Sequence, residues 1–313
     1  MSGPIWKRFK QIAATQGHKA AVIDAATGAS LSYADLHSRS ETLAEAIEDR
    51  PEGAIAFIGE PELTALPLLL ACAAAGYCFV PLSDRERPER LAQMLTRLPG
   101  PVLVASVDGV PGFPVAEVGG PLSEIAAVWQ ICGGFTTVAD PLPFLVTHSS
   151  GSTGRPKAVA FSQATKLHRT EQSIRLFTVN NRDTILSATP LHHSLGQRHF
   201  FLSLMTGATL VKAQPFTPGL WISAVKSHDV NFAIPVATHL KILQGEILAD
   251  PTILSGFRCI VTSSAPAEPD FKREILDHAT FDFWEIYGMT ETACATAVRY
   301  GKDDDTAHLG QAV

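Results

Sequence analysis

Short apolar, β-branched runs recur along the chain, and between them apolar residues return every three or four positions. The runs 54–59 (AIAFIG), 101–106 (PVLVAS), 184–188 (TILSA) and 208–213 (ATLVKA) read as buried strands, as do 232–236 (FAIPV), 258–262 (RCIVT) and 281–287 (FDFWEIY). Helical patterns fall at 33–48, 88–98, 163–177, 238–248 and 269–278. The first opens after Ser32 as N-cap and carries Leu36, Leu43, Ala44 and Ile47 on one face. This alternation predicts an α/β fold, with mainly parallel sheets covered by helices. The Gly/Pro-rich passage 99–143 is the least periodic and reads as the weakest packing. Asp303-Asp304-Asp305 reads as a solvated turn.

Composition narrows the classes. A chain of 313 residues holds one large domain or two intermediate ones, and 46% hydrophobic with 18% charged residues is globular composition. A formal net charge of −6 supplies no basic field for a polyphosphate backbone, which excludes nucleic acid as the expected partner. Five scattered cysteines without a C-x-x-C pair point away from a disulfide framework or a zinc site. The longest apolar stretch, 63–77, is broken by Thr64 and Pro67 and is too short to span a bilayer. The start, MSGPIWKRFKQIA, lacks the apolar core of a signal peptide, so a cytoplasmic protein is the expectation.

The passage 144–162, FLVTHSSGSTGRPKAVAFS, carries the most chemistry. An apolar strand runs into Ser149-Ser150-Gly151-Ser152-Thr153-Gly154, then Arg155-Pro156-Lys157, and a second β-type run follows at 158–161. Four hydroxyl residues and two glycines in six positions make a loop whose donors can converge, with a cation directly after. A phosphate needs that set: close backbone approach, several donors and a compensating charge. The Walker A pattern is not met, because Arg155-Pro156 separates Gly154 from Lys157. A Ser/Gly-rich surface linker is the bland alternative, and two flanking strands, both expected to be buried, argue against it.

SSGSTGRPK resembles the phosphate-binding signature of the acyl-adenylate-forming superfamily, which includes acyl-CoA synthetases, peptide-synthetase adenylation domains and beetle luciferases. Further matches follow in that family's order. AAGYCFVPLS (74–83) resembles its A-G-x-x-x-V-P segment, and Pro190-Leu191-His192-His193-Ser194-Leu195-Gly196 its P-x-x-H-x-x-G motif. Ser263-Ser264-Ala265-Pro266 resembles the G-G-A-P/E turn, with serines where the family has glycines. Tyr287-Gly288-Met289-Thr290-Glu291 matches Y-G-x-T-E, and the spelling is closest to the acyl/aryl-CoA ligase and luciferase branch.

The resemblance implies a two-lobed αβ sandwich, 1–52 plus 191–300 forming one lobe and 53–190 the other, with 301–313 opening the family's next segment. It implies ATP and Mg²⁺ as cofactors. The phosphates would lie along Ser149, Ser150, Gly151, Ser152, Thr153, Gly154 and Lys157. The nucleotide would also meet Ser264, Ala265, Pro266, Glu285, Ile286, Tyr287, Gly288, Met289 and Thr290. Lys157, Thr290 and Glu291 would be catalytic, Glu291 as the Mg²⁺ ligand, and His193, Ser263 and Gly288 would face the acid. Physical sense supports these roles: an aromatic ring at a strand end can stack on adenine, a threonine can donate to phosphate, and a carboxylate suits Mg²⁺. His192, His193 and His199 do not read as a metal site, since no Asp, Glu or Cys stands at matching spacing.

The expected reaction is attack of a small carboxylic acid on the α-phosphorus of ATP, giving acyl-AMP and pyrophosphate. Transfer to coenzyme A or an acyl or peptidyl carrier protein would follow. An aryl or apolar acid is expected, because only Glu285 and Glu291 stand near the expected pocket segments to pair an amino group. The family's small C-terminal lid domain has no counterpart here, so the chain is expected to be a partial catalytic unit. A non-catalytic ATP or acyl-AMP sensor is the alternative. A phosphate-loop kinase would need the missing Walker A motif.

Overall fold

The structure, a computed structural model, describes residues 3–48, 53–59, 62–98, 102–106, 115–117, 128–131, 142–149, 157–301, 304 and 311–312. The chain opens with α1 (Pro4–Gln16), β1 (Ala20–Asp24), β2 (Ser30–Ser32) and α2 (Tyr33–Glu48). Next come β3 (Ala54–Ile58), α3 (Glu62–Ala75), β4 (Cys78–Leu82), α4 (Pro88–Leu95) and β5 (Val102–Ser106). They are followed by β6 (Val115–Glu117), β7 (Val128–Ile131), β8 (Leu145–Ser149), β9 (Lys157–Phe161) and α5 (Gln163–Phe177). The remainder runs β10 (Thr184–Ser187), α6 (Ser194–Leu204), β11 (Thr209–Lys212), α7 (Pro218–Ser227), β12 (Phe232–Ala233) and α8 (Ala237–Ala249). A 3₁₀ turn at Pro251–Leu254 leads to β13 (Cys259–Thr262), α9 (Pro269–His278), β14 (Asp282–Tyr287), β15 (Thr296–Tyr300) and β16 (Gln311–Ala312).

The fold is α/β, with two separate sheets among the described strands. One has seven strands in the order β6-β7-β5-β3-β4-β8-β9, the other nine in the order β16-β15-β14-β13-β12-β10-β11-β1-β2. The inner pairs are parallel, such as β3 with β4 and β5, or β13 with β14. Antiparallel pairs lie toward the edges: β8 with β9, β6 with β7, and β14 with β15. Helix crossovers bury the parallel strands, so β3, β4 and β13 are buried along their whole length.

The chain divides into unit 1 (Met1–Lys19, Leu31–Glu171, Leu191–His193) and unit 2 (Ala20–Ser30, Gln172–Pro190, Ser194–Val313). These bounds differ from the expected 1–52 plus 191–300 and 53–190 at 1–19 and 31–52, at 172–190 and at 191–193. Helices α1 and α2 pack with α3 in the unit of the seven-stranded sheet, where Ile5, Phe9, Leu36, Leu43 and Ile47 are fully buried. The Tyr77 hydroxyl donates to the Ile47 carbonyl at 2.8 Å and ties α2 there. Strand β10, expected among 53–190, instead lies between β11 and β12 of the nine-stranded sheet. In unit 1, Leu91 and Leu95 of α4 pack on Val80 and Val104. In unit 2, Trp221, Leu243 and Ile275 cover Val211, Ile260 and Phe283.

Helix α3 was not legible as a helix because its helical periodicity is missing. Leu66, Leu69, Leu70, Cys72 and Ala73 are all fully buried, so no polar face marks the 3.6-residue repeat. Strand β9 corrects another expectation. It is an edge strand whose first residues, Lys157 and Ala158, are exposed, so the Ser/Gly loop is flanked by one buried strand and one open one. No helix among the described residues is long and apolar enough to cross a membrane.

Candidate functional site

In unit 1, β8 and β9 form a hairpin whose ladder runs from Leu145 opposite Phe161 to Ser149 opposite Lys157. Directly opposed residues share a sheet face, so Ser149 and Lys157 stand side by side at the open end of the ladder. Ser150, Gly151, Ser152, Thr153 and Gly154 lie outside the described residues. The surroundings are cationic. A cavity of about 440 Å³ is lined by Gln93, Met94, Arg97, His148, Lys157 and Ala158. Burial, with Arg90 and Arg97 adding their charges, pushes His148 down to about 4. A neutral imidazole beside Arg97 and an exposed Lys157 leaves this end of the hairpin positive, as phosphate requires.

In unit 2 the candidates gather where parallel strands end. Thr262 of β13 pairs with Glu285 of β14, so Ser263-Ser264 and Ile286-Tyr287 leave the sheet as neighbours. Ser263 is buried and bridges to Val236, while Ser264, Ala265 and Pro266 are exposed. Ser264 adopts φ 77, a left-handed conformation that glycine takes without strain. The family's glycine at this turn thus has a steric reason, and this chain keeps the conformation with serine.

The turn after β14 is sterically specified. Tyr287 and Met289 are about half exposed (53% and 49%), which is unusual for large apolar side chains and leaves the tyrosine ring open to a stacking ligand. A Cβ on Gly288 would sit 1.7 Å from the Ala293 carbonyl oxygen, so only glycine fits. The chain curls back on itself through Ala293 N–H to the Met289 carbonyl (2.9 Å) and Ala295 N–H to the Tyr287 carbonyl (2.8 Å). Thr290 is half-buried and Glu291 exposed on this turn. Among the described residues no ion pair engages Glu291, so its carboxylate is open to a cation.

At two of the expected nucleotide contacts, Glu285 and Ile286, the side chain is turned into the fold. The Glu285 carboxylate is fully taken up: Oε1 accepts from Ala267 N–H at 2.9 Å, and Oε2 accepts from Lys272 Nζ and the Tyr300 hydroxyl, both at 2.8 Å. It holds the Ser263–Ala267 turn onto β14 from inside. Ile286 points its side chain into the core, so only its backbone remains for a ligand.

The P-x-x-H-x-x-G segment enters α6. A Cβ on Gly196 would stand 2.1 Å from the Pro190 carbonyl oxygen and 2.6 Å from that of Thr189, which explains the glycine. His193 is exposed, and its ring centroid lies 4.3 Å from that of His192. Sequence reasoning passed over Arg198, Gln214, His239 and Thr262, all in unit 2 and each with a buried polar atom lacking a partner. A signal was present for the first: a lone arginine inside the apolar stretch that becomes α6.

The AMP-binding enzyme family model matches residues 9–313. The chain belongs to the AMP-binding enzyme family. It is 26% identical over 300 residues to a feruloyl-CoA synthase of Amycolatopsis, covering 91% of this chain and 58% of that protein. It is 27% identical over 308 residues to the indoleacetate–CoA ligase of Aromatoleum aromaticum, covering 90% and 59% respectively. The chain therefore spans less than two thirds of the length of these relatives. The ATP-bound MatB structure from Rhodopseudomonas palustris superposes with a TM-score of 0.78 at 21% identity, covering 100% of this chain and 65% of that one. That likeness shows the shared family fold.

Proposed function

We propose that the chain activates a carboxylic acid with ATP, forming an acyl-AMP and releasing pyrophosphate. The observation that carries this reading is the turn after β14. Its glycine is forced by Ala293, its tyrosine is exposed for adenine, and its Glu291 carboxylate is open. The phosphates are assigned to the loop 149–154 and to Lys157, whose surroundings are positive. Ser263 and Gly288 are assigned to the acid, as is His193. One acid oxygen attacks the α-phosphorus while the bond to pyrophosphate breaks, so the protein's work is alignment and charge neutralisation. Mg²⁺ fits Glu291 as one hard oxygen ligand with the phosphates supplying others, and when bound it neutralises phosphate charge. Transfer of the acyl group to coenzyme A or a carrier-protein thiol is proposed as the next step of the whole protein.

The acid's body is assigned as aryl or apolar. The names of the relatives above, feruloyl and indoleacetate, are aryl acids, which supports this. So does Glu285, whose carboxylate is bound to Lys272 and Tyr300 and cannot hold an amino acid's ammonium group. The test is ATP–pyrophosphate exchange over a panel of acids. Glu291→Gln should lower exchange by roughly 100-fold, with partial rescue at high Mg²⁺. Lys157→Ala should lower turnover more than ATP affinity. ATP binding without exchange for any acid would favour the sensor alternative.

A further inference from the structure

The nine-stranded unit half-buries an arginine that makes no ion pair among the described residues. Arg198 lies on α6 one turn past Ser194 and Leu195, and the three form the less buried stripe of that helix. Its Nη1 is closed off from water and has no hydrogen-bond partner. Among the described residues, two titratable groups interact with it, the adjacent His199 imidazole, which cannot be an anion, and the Cys294 thiol. That thiol is no anion: it donates to the Thr296 carbonyl at 3.3 Å, and burial holds its proton on. A guanidinium cannot shed its charge, and a donor closed off from water without a partner costs free energy.

Three further groups point to the same want. Gln214 Nε2, His239 Nδ1 and Thr262 Oγ1 are likewise buried without partners. Gln214 follows β11, His239 follows β12 and Thr262 ends β13, while Arg198 is on the helix after β10. Gln214, His239 and Thr262 therefore lie at or just past the carboxyl ends of neighbouring parallel strands, where α/β sheets bind ligands, and Arg198 stands in the second turn of the helix that follows β10. Cys294, which interacts electrostatically with Arg198, also flanks Gly288, the glycine assigned to the acid: a Cβ there would stand 3.2 Å from the Cys294 Cα.

We propose that Arg198 receives a second, non-reacting carboxylate, so that the chain activates a dicarboxylic acid whose aryl or apolar body separates its two acid groups. This rests on the acid-activation reading and names its substrate class. The planar guanidinium fork matches a carboxylate with two parallel hydrogen bonds. It is not the group for the reacting carboxylate, since an oxygen clamped by a cation is a poor nucleophile toward phosphorus.

The experiment compares acids that differ only in the second carboxylate, hexanoate with adipate and phenylpropanoate with its 2-carboxy derivative, in ATP–pyrophosphate exchange. The wild-type chain should favour the dicarboxylates by at least about 10-fold in kcat/KM. Arg198→Met should lower that ratio by about 100-fold, and Arg198→Lys by less, because the charge is kept and the fork lost. Thermal unfolding without ligand gives a second readout. Arg198→Met removes a donor closed off from water without a partner, so its Tm should rise by about 2 °C. A preference for the monocarboxylates, or an equal loss on both classes with a lower Tm, overturns the proposal. Exchange with neither class sinks the activation reading itself, whereas exchange with monocarboxylates alone overturns only the assignment of Arg198.

Discussion

Lys272 is buried and Arg198 half-buried inside unit 2, and the surroundings of the two cations differ. Lys272 Nζ lies 2.8 Å from Glu285 Oε2 and 3.1 Å from the Tyr300 hydroxyl, and it also sits over the Tyr300 ring. The two side chains are 3% and 4% exposed, so the pair is closed on all sides. Arg198 has no such partner, and polar atoms at the ends of the adjacent strands also lack theirs. A closed network holds β14, β15 and the Ser263–Ala267 turn in one arrangement. An open one holds stored electrostatic cost that a ligand of the right charge can relieve. The contrast separates charge that builds the fold from charge kept for binding.

The largest test of that contrast is Lys272→Met. It leaves Glu285 buried with no cation and should destabilise unit 2 by about 3–5 kcal/mol. Replacing Glu285 as well, in Lys272→Met/Glu285→Leu, should recover much of the loss, because no charge is then stranded. Hydrogen exchange at the amides of β13 and β14 reads the unit directly, which matters because a chain of two units need not unfold in one step. A double variant worse than the single one would mean that the pair is not acting as a pair.

Acid should reach the open region next. His199 lies on α6 beside Arg198, and burial, with the charges of Lys212 and Arg198, pushes it down to about 3. Unfolded, it titrates near 6.5. Between these values the unfolded chain holds the extra proton. Its contribution is therefore complete above pH 6.5 and is lost progressively as pH falls toward 3. At pH 4 the loss is about 3 kcal/mol. Urea midpoints at pH 7, 5.5 and 4 check it against His199→Gln, which should lose less over the same range. Parallel losses in the two chains would assign the acid sensitivity to other groups.

How much of this was legible depended on which physical signal each feature leaves in sequence. Strands β3, β5, β10, β11, β13 and β14 stood out because buried parallel strands are unbroken β-branched runs. Helices α2, α5 and α9 fell within the expected ranges because their polar faces mark the helical repeat. Helices α3 and α6 left little such mark: α3 is buried on all sides, and α6 along most of its length. The engagement of the Glu285 carboxylate was not legible, because its partners Lys272 and Tyr300 lie 13 and 15 positions away. Arg198 was overlooked because a lone arginine in α6 is a weak mark, and the absence of its partner shows only in three dimensions.

The smallest expected effect falls on the turn between the two regions, at Ser264. Its φ of 77 costs an ordinary residue about 1–2 kcal/mol relative to glycine. Glycine returns roughly 0.5–1 kcal/mol of this through the greater freedom of the unfolded chain. Ser264→Gly should therefore stabilise unit 2 by about 0.5–1 kcal/mol. Ser264→Ala separates the backbone from the hydroxyl, because alanine keeps the strain and removes only the oxygen. If the turn serves the nucleotide through its backbone shape, both variants should bind ATP as the wild type does while differing in stability. If the hydroxyl itself contacts the nucleotide, both should lose ATP affinity equally, and Ser264→Gly should do so while gaining stability. Calorimetric ATP titration beside urea unfolding distinguishes these outcomes. A glycine variant no more stable than the alanine variant would show that the left-handed turn carries no strain worth relieving, and the steric account of the family's glycine would fail at this position.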